Sequence, residues 1–295
     1  MPNDKLKNYL HLHLIVFIWG FTALLGKLIS IAALPLVWYR MLLASLIIGV
    51  YLWIKKVSLK VGVKTLCTMI FVGIVIALHW VTFFMAIKVS NVSIALATMS
   101  TGAFFTAFLE PVLYKRKIIW YEICFGILVI VGLYIIFQVE TEYLHGIILA
   151  LVSSFLAAIF SLMNGKLVKH QKPSIISFYE LFGGVVFLTI YLLGMQSFTT
   201  DFFSLAHTDW IYIFILASAC TAYAFIASVK VMRFISPYTV MLTVNLEPIY
   251  GMLLAFIVLG ESEKMTPLFY LGGLLILLTV VANGVLKNKL RQKQT

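Results

Sequence analysis

Two stretches decide the fold when they are laid over one another: SNVSIALATMSTGAFFTAFLEPVL, residues 90–113, and SPYTVMLTVNLEPIYGMLLAFIVL, residues 236–259. At one constant offset Ser90 faces Ser236, Leu96 faces Leu242, and Val112 and Leu113 face Val258 and Leu259. The same offset continues without a gap to Gly126 against Gly272, Leu128 against Leu274 and Ile130 against Ile276. Nearer the start of each half, Gly26-Lys27-Leu28 answers Gly165-Lys166-Leu167, and Trp38-Tyr39-Arg40 answers Phe178-Tyr179-Glu180. Apolar residues match by chance in such a chain, so the glycines and the registered polar positions carry the repeat.

The chain around these stretches is 62% hydrophobic and only 11% charged, with a mean hydropathy of +1.05. A soluble globular domain is far more polar. A hydrocarbon core of about 30 Å needs roughly 20 apolar residues per helical crossing. The sequence divides into ten such stretches: Leu10 to Ile31, Leu36 to Ile54, Leu66 to Ile87, Val92 to Tyr114, Ile118 to Phe137, Leu144 to Gly165, Ile175 to Met195, Trp210 to Val229, Tyr238 to Leu259 and Leu268 to Leu286. The expected fold is therefore an all-α integral membrane protein of ten transmembrane helices. Five helices per half is an odd number, so the second half (139–295) starts from the opposite side to the first (1–138), and the repeats are inverted. No room remains for a soluble catalytic domain. The first apolar run continues past Trp19 and Phe21, beyond the length of a cleavable signal, and reads as a retained helix.

Charge in the connections orients the chain. One side collects Lys5, Lys7, Lys55, Lys56, Lys60, Lys64, Lys115, Arg116, Lys117, Lys166, Lys169, Lys172, Lys230, Arg233, Lys287, Lys289, Arg291 and Lys293. The other holds Glu140, Glu142, Asp201, Asp209, Glu261 and Glu263 against Lys27, Lys88 and Lys264. Both termini are expected in the cytoplasm. The net charge of +11 is thus spread over short loops with no aromatic stacking platform, which argues against nucleic acid as a partner. With no organellar targeting segment ahead of the first helix, a bacterial inner membrane is the expected location.

A further set of motifs points to a family. Ile18-Trp19-Gly20 lies in the first helix, Arg40 follows Pro35 in the second, and His79-Trp80-Val81-Thr82-Phe83-Phe84 leads to Ser90-Asn91-Val92-Ser93. Asn245-Leu246-Glu247-Pro248-Ile249-Tyr250 and Leu259-Gly260-Glu261 follow in and after the ninth helix. On these residues the chain resembles the EamA-like branch of the drug/metabolite transporter superfamily over essentially its full length. It departs from the pattern where Lys115 replaces a glutamate and Gly102 matches the proline of the ninth helix. The resemblance implies a ten-helix carrier of two inverted halves that exports or imports amino acids, metabolites, drugs or nucleotide-sugars. Export of an amino acid or related small organic metabolite is the direction it favours.

Ionisable groups inside the bilayer mark where such a carrier would work, since each costs roughly 2.5–3.5 kcal/mol at a helix centre on insertion scales. Glu247 is the deepest. Asn245 precedes it, and Pro248 removes an amide donor and frees a carbonyl one turn back. Polar backbone at that depth must line water, protein or substrate. Glu247 either lines a cavity or sits hydrogen-bonded in the core. Thr101-Gly102 is the matching weak point in the first half. His79 with Trp80 could bind an aromatic or cationic solute or pass a proton, or could simply pack. Glu247 and His79 are the candidates for proton coupling. By symmetry Tyr223 is expected on the opposing wall, and Trp19 and Tyr250 complete the expected substrate contacts. Arg40 and Glu180 occupy matched places near opposite faces and are expected to serve structure, as are Gly102 and Pro248. Glu110 and Glu122 read as interfacial partners of the nearby basic residues.

Several activities are excluded by pattern. Gly26-Lys27 and Gly165-Lys166 lack the spacing and the Ser or Thr of a phosphate loop, so transport is expected to be secondary and without cofactor. Cys67, Cys124 and Cys220 lie in separate spans without metal-ligand spacing. His11 and His13 alternate and face different ways. An integral-membrane enzyme would cluster its acidic residues and histidines at one interface, and here they are scattered; a channel explains the inverted repeat less simply. The Asn91-Val92-Ser93 sequon lies too close to the bilayer for glycosylation. The Gly183-Gly184 and Gly272-Gly273 pairs permit close helix approach, within one chain or between two.

Overall fold

The computed structural model describes residues 2–115, 120–139 and 141–292. Arg116, Lys117, Glu140 and Lys293, used above for orientation, lie outside the described residues, as do the side chains of Lys5, Glu122, Lys287, Lys289 and Arg291. Lipid offers no hydrogen bonds to a backbone, so each crossing must satisfy its own amides. The described residues accordingly contain helices and no strands. They form α1 (Pro2–Leu28), α2 (Ala33–Ile54), α3 (Val63–Val89), α4 (Val92–Met99), α5 (Gly102–Tyr114), α6 (Trp120–Val139), α7 (Leu144–Leu167), α8 (Pro173–Gly194), α9 (Thr200–Phe203), α10 (His207–Ala217), α11 (Ala224–Val231), α12 (Pro237–Val244), α13 (Glu247–Leu259) and α14 (Pro267–Gln292). Eight helical stretches among them are long and apolar enough to cross a membrane, taking α4 with α5, α10 with α11, and α12 with α13 as single crossings. Two shorter apolar runs, Cys124–Ile136 and Pro267–Asn283, lie in α6 and α14.

Three crossings are interrupted, two of them at the weak points read in the sequence. Between α4 and α5 the Ser100 and Thr101 amides reach back only three residues, to Ala97 and Thr98. Between α12 and α13 the Leu246 amide does the same to Thr243, and Pro248 has no amide to continue the ladder. Between α10 and α11 a π-helical turn covers Ser218–Tyr223. Hydroxyls bond carbonyls that this turn loosens: Thr221 Oγ1 donates to Leu216 O at 2.7 Å and Ser218 Oγ to Phe214 O at 2.6 Å. A wide turn of this kind shifts the faces of the helix on either side of it.

The repeat is visible in the packing. α3 packs on α7 and α8, and the matching α10–α11 crossing packs on α1 and α2. α1 packs on α13, and α7 packs on α4 and α5; between the halves α2 meets α8 and α6 meets α14. It is visible in hydrogen bonds too. The Tyr39 hydroxyl donates to Phe202 O at 3.1 Å, and the Tyr179 hydroxyl donates to Leu59 O at 2.7 Å. Each tyrosine thus ties its own half to the connection after the second helix of the other. Lys56 and Gln196 end those second helices with left-handed backbone, at φ 49° and 51°. At the ends of the third crossings, Lys88 Nζ donates to Ile29 O, and Arg233 Nε to Val168 O at 3.3 Å.

Both glycine pairs are used within the chain. A Cβ on Gly73 would lie 3.0 Å from Glu180 Cα, and one on Gly184 2.9 Å from the Gly73 carbonyl, which seats α8 directly on α3. Gly132 and Gly272 give α6 and α14 the same intimacy: a Cβ on Gly272 would lie 2.9 Å from Gly132 O.

Candidate functional site

The interruption between α12 and α13 faces a cavity of about 90 Å³ at the meeting of the two halves, which Met99 at the end of α4 also lines. α1, α2, α3 and α4 line it from the first half, and α7, α11, α12 and α13 from the second. Repeat-related positions share the wall: Thr22 with Ser161, and Met99 with Asn245. Beyond them the cavity extends one way only, past Asn164, Ser228, Met232 and Val240. It therefore leans toward the end where α7 and α11 finish and α12 begins. Its volume is well below the roughly 300–1,000 Å³ of sites for drug-sized ligands.

Of the residues singled out in the sequence, Trp19, Arg40, His79, Trp80, Asn245, Glu247 and Pro248 line this cavity. Glu247 is the first residue of α13 and makes no hydrogen bond or ion pair among the described residues. His79 is held by Ser153, whose carbonyl lies 2.9 Å from Nδ1 and whose hydroxyl donates to His79 O at 2.9 Å. With Nδ1 donating there, Nε2 is the open nitrogen of the ring. Trp19 spends its Nε1 on the Cys220 carbonyl of the π turn at 3.1 Å, so its ring is fixed rather than free to swing.

Arg40 does more than clamp its own helix. Only 1% of its surface is exposed. Nε donates to Thr221 Oγ1 at 2.7 Å, the same hydroxyl that caps the π turn. Its guanidinium carbon lies over Trp80, 3.9 Å from the ring centroid. Arg40 and Glu247 attract one another across the cavity, but no ion pair joins them among the described residues.

The other expected site residues lie elsewhere. Thr101 is fully buried, donating to Thr98 O at 2.8 Å and 3.0 Å from Ser154 Oγ. Gly102 beside it accepts close approach of Met241 and Ser154. Tyr250 packs edge-on to Phe17 and against Gly20 of α1. Tyr223 faces outward, 47% exposed, with its hydroxyl 3.0 Å from His11 Nε2. The π turn gives the reason, since one extra residue per turn carries Tyr223 off the inner face. Glu180 is fully buried behind the cavity and accepts from Asn164 Nδ2 at 3.3 Å.

Sequence reasoning missed Ser161 and Asn164 on the cavity wall. A signal was there: Ser153, Ser154, Ser161 and Asn164 recur at helical spacing along an otherwise apolar α7. It also missed two buried carboxylates at the far end from the cavity's extension. Asp209 accepts the Ser30 amide at 2.8 Å and its hydroxyl at 2.5 Å. Glu263 caps the start of α4, accepting the Val92 amide at 3.1 Å, the Ser93 amide at 2.9 Å and the Ser93 hydroxyl at 3.0 Å. Asn91 is buried and accepts the Ile94 amide at 2.8 Å.

Comparison with known proteins agrees with this division into halves. The profile of the EamA-like transporter family matches residues 6–138 and again residues 144–284. A solved crystal structure, titled only as that of a protein, is similar in fold with a TM-score of 0.69, covering 96% of this chain and 98% of that chain at 12% identity. No curated protein matches the sequence. Membrane-capable helices, packing that repeats between the halves and a family profile that fits each half in turn lead to one conclusion: the chain is a multi-pass membrane protein and belongs to the EamA-like transporter family of the drug/metabolite transporter superfamily.

Proposed function

We propose that this protein is a secondary carrier that exports amino acids or related small organic metabolites by alternating access. In this reading ten spans, the two shorter apolar runs included, form inverted halves at 1–138 and 139–295. Both termini lie in the cytoplasm and the membrane is a bacterial inner membrane. One observation carries the proposal: a small cavity with ionisable walls sits where the two repeats meet, flanked by an interrupted helix from each. Inverted-repeat carriers bind their solute at such a place, on broken helices, and rock one half against the other. The lean of the cavity toward the α7 and α11 ends fits access from the cytoplasmic side under the charge-derived orientation. Its small volume favours a metabolite over a drug or a nucleotide-sugar.

Glu247 and His79 both line the cavity, so either can exchange a proton with it, and solute movement is proposed to be proton-coupled. The test is transport in proteoliposomes with an imposed pH gradient. A carrier shows saturable flux and counterflow, accelerated by the gradient in the wild type and not in Glu247→Gln. Flux without counterflow would make the protein a pore, and a modified lipid in the same vesicles would make it an enzyme.

A further inference from the structure

Charges of both signs line one cavity without touching. On one side stands Arg40, locked in place by Thr221 and Trp80, with neither of its terminal nitrogens hydrogen-bonded among the described residues. On the other stands Glu247, whose carboxylate makes no hydrogen bond or ion pair among the described residues. Buried polar groups in proteins are ordinarily satisfied, and a charge-bearing pair left apart in a closed space is a costly arrangement unless something comes between. Polar neighbours of both kinds repeat the pattern. Asn245 Nδ2 and Asn164 Oδ1 are buried without hydrogen-bond partners, and both residues line the cavity. Thr22, His79, Ser161 and Ser228 add further polar groups, and the remainder of the wall is apolar and aromatic, with Trp80, Phe83, Phe160 and Phe225 prominent.

We infer that the cavity is built for a zwitterion with an apolar body: an α-amino acid with an aliphatic or aromatic side chain, its carboxylate on Arg40 and Asn245 and its ammonium on Glu247 and Asn164. This rests on the carrier reading and sharpens it by assigning each pole of the solute. Guanidinium suits the first role because its planar fork matches a carboxylate, and Arg40 spends only Nε on Thr221 among the described residues, which leaves its terminal nitrogens for the ligand. Glu247 suits the second because it can accept an ammonium without surrendering another bond. Such a ligand closes the electrostatic gap and gives partners to Arg40, Glu247, Asn164 and Asn245 in one step.

The experiment is ligand-induced thermal stabilisation of the purified full chain in detergent, using L-phenylalanine, phenethylamine and 3-phenylpropionate. These differ only in which pole is present. L-phenylalanine should bind at least about tenfold more tightly than either one-pole compound, the loss expected when a hydrogen bond to a charged group is removed. Glu247→Gln should lower the affinity for L-phenylalanine and leave 3-phenylpropionate unchanged. Arg40→Lys, which keeps the charge but removes the fork, should lower L-phenylalanine and leave phenethylamine unchanged. Equal binding of phenethylamine and L-phenylalanine, or stabilisation by sugars or nucleosides with no response to the amino acid, would overturn the inference. If Arg40→Lys fails to fold, Glu247→Gln decides alone. Flux of a sugar or nucleoside in vesicles would retain the carrier and discard the zwitterion; binding of L-phenylalanine without flux would do the reverse.

Discussion

At the first interrupted helix the Thr101 hydroxyl donates to Thr98 O and meets Ser154 Oγ at 3.0 Å, in a place with no exposed surface. At the second, Glu247 stands in the same position of the repeat, opens on the cavity and meets no partner among the described residues. Both backbones break for the same local reason, a tightened turn beside a residue that weakens the helix. Only one break delivers charge. The second helices divide in the same way. Arg40 lines the cavity, while Glu180, its counterpart, is sealed behind Asn164. Duplication therefore supplies the hinge geometry twice and the chemistry once from each half: a cation from the first, a carboxylate from the second.

The comparison can be broken most severely by stability measurements on two glutamates. Glu263→Ala leaves the Val92 and Ser93 amides and the Ser93 hydroxyl unpaired and should cost about 3 kcal/mol or more, read as a lowered melting temperature in detergent. Glu247→Ala removes no hydrogen bond or ion pair among the described residues, only the longer-range attraction to Arg40, and should cost less than about 1 kcal/mol. Similar losses would mean that Glu247 is a structural group after all. Function should split the other way. Glu247→Gln should cut flux of the amino acid that binds best at least about tenfold, whereas Thr101→Val should leave flux within about twofold of wild type. A Thr101→Val protein that transports as poorly as Glu247→Gln would show that both breaks touch the solute.

Smaller effects test the halves as equals. Thr101→Val should lower stability by about 1 kcal/mol through loss of its hydrogen bonds. Tyr39→Phe and Tyr179→Phe each remove one hydroxyl from a carbonyl of the opposite half, and each should cost roughly 0.5–1.5 kcal/mol by chemical denaturation, with the two values close together. A large difference between them would show that the two ends of the molecule are not held alike.

Much of the site was legible because intramembrane polarity is rare and therefore conspicuous. Trp19, His79, Trp80, Asn245 and Glu247 stand out from an apolar background, and all line the cavity. Tyr223 is expected on the wall by symmetry between the halves, and the π turn at Ser218–Tyr223 breaks that symmetry. Arg40 reads as a local clamp when its helix is considered alone, because its partners Thr221 and Trp80 are far away in the chain. Asn164 sits in a run of small polar residues whose common face becomes informative only once α7 is known to turn it inward.

The amino-acid order by itself determined that the chain is helical, membrane-embedded and doubled, and where two of its helices weaken. Those properties follow from nearest neighbours and from lipid, which demands internally bonded backbone of a fixed length. Tertiary packing decided which side chains share a cavity, that Arg40 turns toward Glu247 without reaching it, and that Tyr223 turns away. Such choices depend on helix rotation and on contacts between residues remote in sequence, where one extra residue in a turn is enough to change the face presented.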